Sequence, residues 1–140
     1  MLRRDFLFCW CVTALVFLPM DAAWLFAAGG WLYKGTLGPV MRDELALGPI
    51  ALLYAIYFAG IVALAVRPGD APPGGNGQAA ARGALLGLTV YGVYDLTNLA
   101  TLVPWSWKVT LFDMAWGVTV TTVATFCAHR AFQAFRLRRS

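Results

Sequence analysis

The sequence has few charged residues and a single histidine. Only 13% of its 140 residues are charged, whereas 60% are hydrophobic. The lone His129 excludes a histidine-rich di-iron site of the membrane desaturase type and argues against a Ser-His-Asp triad. The sequence also has neither a GxSxG nucleophile motif nor a Walker phosphate-binding loop. It therefore predicts no particular catalytic residue.

Cysteine is equally scarce. Cys9, Cys11 and Cys127 lie within or at the ends of apolar runs, where a thiol behaves as a small hydrophobic side chain. Cys9 and Cys11 are too close together, and too poorly supplied with other ligands, for a usual metal site. The cysteines thus predict neither a disulfide framework nor a metal centre, and the sequence specifies no cofactor.

The basic residues do not form the single stripe that would indicate a nucleic-acid partner, although the net charge is +4. They fit a membrane orientation instead, because eight lie on one predicted side and three on the other. The eight are Arg3, Arg4, Arg67, Arg82, Arg130, Arg136, Arg138 and Arg139, and the three are Lys34, Arg42 and Lys108. We therefore expect both termini to be cytoplasmic.

Long apolar runs are what the sequence has in abundance. Residues 6–28, 50–66, 83–103 and 109–128 each come close to the ~20 apolar residues that span a bilayer. At a mean hydropathy of +0.66, a water-soluble fold of this size would have to bury more apolar surface than it can. The sequence predicts an all-α bundle of four transmembrane helices, forming one integral membrane domain over residues 1–140 with membrane lipids as partners.

The segments between these runs have distinct compositions. Residues 67–82 are rich in proline and glycine and are predicted to be a flexible loop. Residues 29–49 are a longer connection with Trp31 and Tyr33, which suit a membrane interface. Residues 129–140 form a basic tail that is typical of a positive cytoplasmic flank.

Three aspartates interrupt the apolar runs. Asp21, Asp95 and Asp113 each belong to a different predicted helix, and a charge at the helix centre costs about 2.5 to 3.5 kcal/mol on insertion scales. The rise of ~1.5 Å per residue places all three in the non-cytoplasmic half of the membrane. We therefore expect them to share one buried site.

Other polar and aromatic residues are predicted to join this site because of helical spacing. The spacing i, i+3, i+4, i+7 puts Tyr91, Tyr94, Asp95 and Asn98 on one face of the third helix. A tryptophan follows two of the aspartates by one turn, and tyrosines of the second helix lie at similar depth. The predicted ligand-binding set is Asp21, Trp24, Tyr54, Tyr91, Tyr94, Asp95, Asn98, Asp113 and Trp116.

Two interpretations of the carboxylate cluster stay open at this stage. Three ionised carboxylates in one low-dielectric pocket repel each other, so a proton, a metal ion, a cationic ligand or hydrogen-bond donors must compensate them. The aspartates would then either form a binding site or only cross-link helices.

Small residues predict close helix packing. Ala55, Ala59 and Ala63 recur at every fourth position, and Gly83 and Gly87 form a GxxxG pair. Packing within the chain is the simpler interpretation, and a homo-oligomer is the alternative.

The chain resembles a bacterial family of predicted membrane proteins, domain of unknown function 2177. The resemblance covers nearly the whole chain, and its most specific motif is the run Tyr-Asp-Leu-Thr-Asn at 94–98. The other shared elements are Asp21-x-x-Trp24, Tyr33-Lys34-x-x-Leu37-Gly38, Tyr54-x-x-Tyr57, Trp105, Lys108-Val109-Thr110 and residues 113–117. It implies four membrane helices, a location in the bacterial inner membrane and no established activity or cofactor. Members of the family are often encoded near lipid-modifying proteins, which implies a link to lipid metabolism.

The expected function is accordingly broad. A buried carboxylate cluster would bind a proton, a cation or a small amphipathic ligand, and such a site would suit transport. The alternative is an intramembrane enzyme, or an accessory subunit, in membrane-lipid modification.

Overall fold

The computed structural model describes residues 3–67 and 75–138, and these residues form four long helices. We number them α1 to α4. The first, α1, spans Arg3–Val40 and consists of an α-helix Arg3–Ala28, a π-helical segment Gly29–Lys34, an α-turn Gly35–Leu37 and a 3-10 turn Gly38–Val40. The others are α2 (Leu47–Gly60 with a π-helical end Ile61–Val66), α3 (Asn76–Thr101) and α4 (Trp107–Leu137). The described residues contain no strand, so the predicted all-α class is confirmed.

Three of the helices in the described ranges are long and apolar enough to cross a membrane, namely α1, α2 and α4. The remaining helix, α3, has the necessary length, with 26 residues. Its composition is more polar because Asp95, Asn98, four glycines and three threonines lie along it. That α3 also crosses the membrane stays a prediction.

Several predicted boundaries were wrong. The helix α3 begins at Asn76, so residues 76–82 are helical and not loop. The alanines and glutamine of this stretch favour a helix, and Ala79 is fully buried. The rest of the predicted loop, from 68 to 74, lies outside the described residues.

The predicted tail and the predicted connection after α1 are also largely helical. The helix α4 continues to Leu137 because His129 and Phe132 still pack into the bundle, and residues 139–140 lie outside the described ranges. Residues 29–40 are not an irregular connection, because they continue α1 through the π-helical, α-helical and 3-10 segments given above.

The surface of the bundle is rich in apolar side chains, and several polar side chains are buried beside its apolar core. Large apolar side chains point outward, and Phe26 and Val103 are 94% and 100% exposed. The buried side chains include three aspartates, a histidine and four threonines. An apolar surface around polar interior groups is what a lipid environment requires.

The helices α1 and α4 pack antiparallel along their whole length. The rings of Phe8 and Phe135 stack with centroids 4.5 Å apart at one end. Ala28 and Val109 belong to one buried cluster at the other end. Between these ends the two helices bring Asp21 and Trp116 into contact.

Glycines allow α3 to approach α4 closely. A Cβ at Gly87 would lie 2.5 Å from the backbone oxygen of Gly117, and one at Gly83 would lie 2.7 Å from Oγ1 of Thr125. The predicted GxxxG pair thus serves packing within the chain. In the alanine stripe of α2, Ala55 and Ala63 are exposed and Ala59 is half-buried, while the Ala55 backbone oxygen accepts the Trp10 indole N–H of α1. A homo-oligomer stays a prediction.

Candidate carboxylate site

Asp21 is held by two hydrogen bonds from other helices. The Tyr54 hydroxyl of α2 donates to Oδ2 at 2.6 Å, and the Trp116 indole N–H of α4 donates to Oδ1 at 3.0 Å. Both carboxylate oxygens are therefore satisfied although the residue is buried. Asp21 joins three helices at one point.

Asp113 is held by a residue that the sequence did not predict. The Tyr33 hydroxyl donates a hydrogen bond to Oδ1 of Asp113. The same hydroxyl accepts the indole N–H of Trp24 at 2.9 Å. Asp113 is buried to the same degree as Asp21, but the bond to Oδ1 leaves Oδ2 for another partner.

Two stacked indoles connect the aspartates. The rings of Trp24 and Trp116 lie nearly parallel, with centroids 4.9 Å apart and an interplanar angle of 6°. Each tryptophan follows one aspartate by a turn of its own helix and serves the aspartate of the other helix, Trp116 directly and Trp24 through Tyr33. The two carboxylates thus belong to one network.

Tyr33 was missed because residues 29–49 were predicted to be a connection, whereas the chain continues there as a π-helical segment. Tyr33 follows Trp24 by nine residues, which in a regular α-helix is about two and a half turns and puts the two side chains on opposite faces. The wider i→i+5 turns at Gly29–Lys34 change this phase. A sequence pattern with a fixed period of 3.6 has no signal for such a change, whereas the Tyr33-Lys34 element of the family resemblance did mark the residue.

Asp95 differs from the other two aspartates. Its side chain is 0% exposed, and neither carboxylate oxygen has a hydrogen-bond partner among the described residues. One turn earlier on α3, a Cβ at Gly92 would lie 3.4 Å from the methyl carbon of Met114, the residue that follows Asp113, so Asp95 and Asp113 lie at a similar level of the α3–α4 interface. Asp95 is therefore near the network without being bonded to it.

The remaining predicted residues of α3 lie at the edge of the site. The Tyr91 ring packs over Gly117, where a Cβ would overlap it, and contacts the ring of Tyr57 at 6.3 Å between centroids. Tyr94 is more than half exposed and packs edge-on against Trp105. Asn98 is half-buried and interacts with the Tyr94 hydroxyl. Tyr91 is thus turned toward α4, whereas Tyr94 is mostly exposed. That these residues share one binding face stays a prediction.

An apolar cavity leads to Asp113. It has a volume of about 510 Å³ and lies between α2 and α3. Leucine, isoleucine and valine side chains and Gly60 form most of its wall, and its polar lining comes from Tyr57, Tyr91, Tyr94 and Asp113. Asp113 is the only one of the three aspartates in that wall.

The cavity exists because α2 and α3 diverge. Within the described ranges their close backbone packing is concentrated at Ile61–Val66, while Leu47–Gly60 stands further from α3. Tyr57 fills part of the gap and bonds Thr121 of α4, with 2.7 Å between the two oxygens. The opening faces the same surroundings as the exposed apolar side chains Leu53 and Ile56.

The arrangement limits the chemistry of the site. In the part of the chain that the structure describes, no three His, Cys, Asp or Glu side chains come together as metal ligands would. What the site offers is one pair of carboxylates fixed by aromatic donors, one unbonded buried carboxylate and an apolar cavity.

These features define an α-helical membrane protein with acidic groups in its interior. The chain belongs to the family of predicted membrane proteins, domain of unknown function 2177, whose model matches residues 6–129. No curated protein and no solved structure matches the chain.

Proposed function

We propose that the protein binds a small amphipathic molecule with a positively charged head group, taken from the surrounding lipid. The head group lies against Asp113, and the apolar chain occupies the cavity between α2 and α3. The single observation that carries this proposal is the place of Asp113, a buried carboxylate in the wall of an otherwise largely apolar cavity.

The cavity suits a ligand of this size and character. Ligand pockets in proteins commonly measure ~300 to 1,000 Å³ and combine apolar walls with a few oriented polar groups. A volume of about 510 Å³ falls within that range. The gap between Leu47–Gly60 and α3 gives lateral access from the bilayer, so a lipid-like chain can enter without crossing the protein.

We infer a positive charge on the ligand head group because the apolar runs that form the helices contain no basic residue to pair with Asp113. The sequence has no Lys or Arg at 5–33, 43–66, 83–107 or 109–129. Asp113 receives a hydrogen bond from Tyr33, but a hydroxyl does not neutralise a buried charge. A ligand cation would supply the missing charge and would gain a charge-assisted hydrogen bond.

Amphiphiles with one alkyl chain and different heads test the proposal. The thermal unfolding midpoint of the protein in detergent would be measured with dodecylamine, dodecanol and dodecanoate. A ligand at about 100 times its Kd stabilises a protein by about 2.7 kcal/mol, so dodecylamine is expected to raise the midpoint by several degrees. The alcohol is expected to raise it less, and the carboxylate least.

The variant Asp113→Asn provides the decisive comparison. Asparagine keeps an acceptor for Tyr33 but removes the charge, so the fold is expected to persist and the preference for the amine to vanish. Asp21→Asn is the matched control, because Asp21 is outside the cavity wall. An amine effect that survives Asp113→Asn in a folded protein would reject the proposal.

A further inference from the structure

Asp95 is a buried acid, and it makes no hydrogen bond among the described residues that would give it a structural role. It is 0% exposed and both oxygens are unpartnered among the described residues. Buried polar groups are almost always hydrogen-bonded, and a carboxylate that only cross-linked helices would be bonded as Asp21 is. An unpaired ionised carboxylate in an apolar interior takes up a proton instead of remaining charged.

The groups around Asp95 favour this neutral form. Among the described residues, the titratable groups whose charge acts on Asp95 are Asp113 of α4, the Tyr33 hydroxyl of α1 and Tyr94 of α3 itself. The half-buried amide of Asn98 is one turn away. None of these groups carries a positive charge. When two carboxyl groups lie close together without a cation, the state with one proton bound has a lower free energy than the state with both groups ionised.

We propose that Asp95 holds a proton in the resting protein and releases it when a cationic head group binds at Asp113. This inference rests on the proposed function. The step is an exchange of one monovalent cation for another: the O–H bond of Asp95 breaks, its proton leaves to solution, and one ammonium group enters. The net charge of the two carboxyl groups and their cation is the same before and after. The proton leaves because an ammonium group beside Asp113 offsets the repulsion from that carboxylate and stabilises the charged form of the neighbouring Asp95.

Infrared difference spectroscopy tests the resting state directly. The carbonyl stretch of a protonated carboxyl group is resolved from that of a carboxylate. At neutral pH we expect this band in the unliganded protein, its loss in Asp95→Asn, and its retention in the matched control Asp21→Asn. Absence of the band in the wild-type protein, or its persistence in a folded Asp95→Asn variant, would overturn the assignment.

Proton release during binding tests the exchange. Dodecylamine, protonated at neutral pH, would be titrated into detergent-solubilised full-length protein in weak buffer with a pH indicator, while binding is followed by calorimetry. We expect close to one proton released per amine bound by the wild-type protein. Asp95→Asn should bind the amine with little proton release.

The outcomes separate the two proposals. Amine binding by the wild-type protein without proton release would overturn the exchange and leave the proposed function standing. Failure of the wild-type protein to bind the amine would overturn both the proposed function and the exchange, while the infrared band would still decide whether Asp95 carries a proton.

Discussion

Trp116 donates its indole N–H to Asp21, with 3.0 Å between Nε1 and Oδ1, although Trp116 lies one turn after Asp113 on another helix. The converse connection runs from Trp24 through the Tyr33 hydroxyl to Asp113. Each carboxylate is thus oriented by a tryptophan from the helix of the other. Displacing α1 relative to α4 would disturb both carboxylates together.

Replacing Trp116 by phenylalanine tests this coupling. The variant keeps an aromatic ring against Trp24 but loses the donor to Asp21, together with part of the stacked ring area. Leaving a buried carboxylate oxygen unpaired costs about 1 to 3 kcal/mol, so the free energy of unfolding in detergent micelles should fall by about that amount.

Trp31→Phe is the matched control for that variant. Its indole N–H also donates one hydrogen bond, to the backbone oxygen of Ala27, but Trp31 is half exposed. A change within about 0.5 kcal/mol is expected at such a surface position. Equal losses in the two variants would contradict the assigned role of Trp116.

Most residues of this hydrogen-bond network could be predicted from the sequence, but not which of them pair. The apolar runs predicted the helices, and the cost of charge in a membrane singled out Asp21, Asp95 and Asp113 as interior residues. The one-turn spacing also identified Trp24 and Trp116 as donors near a carboxylate. Which tryptophan serves which aspartate depends on how α1 and α4 pack, and no single-helix period contains that information.

Tyr33 and Tyr54 offer a graded comparison. Tyr33→Phe removes the donor to Asp113 and the acceptor for Trp24, whereas Tyr54→Phe removes one of the two donors to Asp21. We expect the first variant to lose more unfolding free energy than the second, by about 1 kcal/mol for the extra hydrogen bond. Thermal or denaturant unfolding of both variants checks this order, and the reverse order would show that Tyr33 is not the central residue of the network.

The close approach of α3 to α4 predicts that adding one methyl group at Gly87 destabilises the protein. Gly87→Ala would place a Cβ 2.5 Å from the backbone oxygen of Gly117, and overpacking of this kind costs about 1 to 3 kcal/mol. Gly92→Ala on the same helix meets only the flexible end of Met114 at 3.4 Å. Unfolding measurements should show a clear loss for Gly87→Ala and little change for Gly92→Ala; similar stability of the two would argue against this packing.

The cavity can be filled without disturbing the carboxylates. Gly60 lines the cavity, and a Cβ there meets nothing within 4 Å. Gly60→Leu should therefore fold and weaken dodecylamine binding by on the order of tenfold, equivalent to about 1.4 kcal/mol. Ala63→Leu places the same side chain at an exposed position of α2 outside the cavity wall. Calorimetric titration should show unchanged binding for this control, and unchanged binding in both variants would place the ligand elsewhere.

The sequence could not predict the cavity or the role of Tyr33. Residues 29–49 were predicted to be a connection, whereas a π-helical segment at Gly29–Lys34 prolongs α1 and brings Tyr33 to Asp113. The cavity depends on how α2 and α3 diverge, which no single-helix pattern contains. The start of α3 was missed for a different reason. The proline- and glycine-rich composition of 67–75 dominated the prediction, although Gln78 and the alanines after it favour a helix.

The central claim is that a cationic head group lies against Asp113, and locating an amine in the protein tests it most directly. A crystal structure with an alkylamine brominated at the far end of its chain would show both ends of the ligand, the bromine by anomalous scattering. We expect the nitrogen within hydrogen-bonding distance of an Asp113 carboxylate oxygen and the bromine between α2 and α3. An amine bound only on the outer surface of the bundle, with the cavity occupied by detergent alone, would contradict the account.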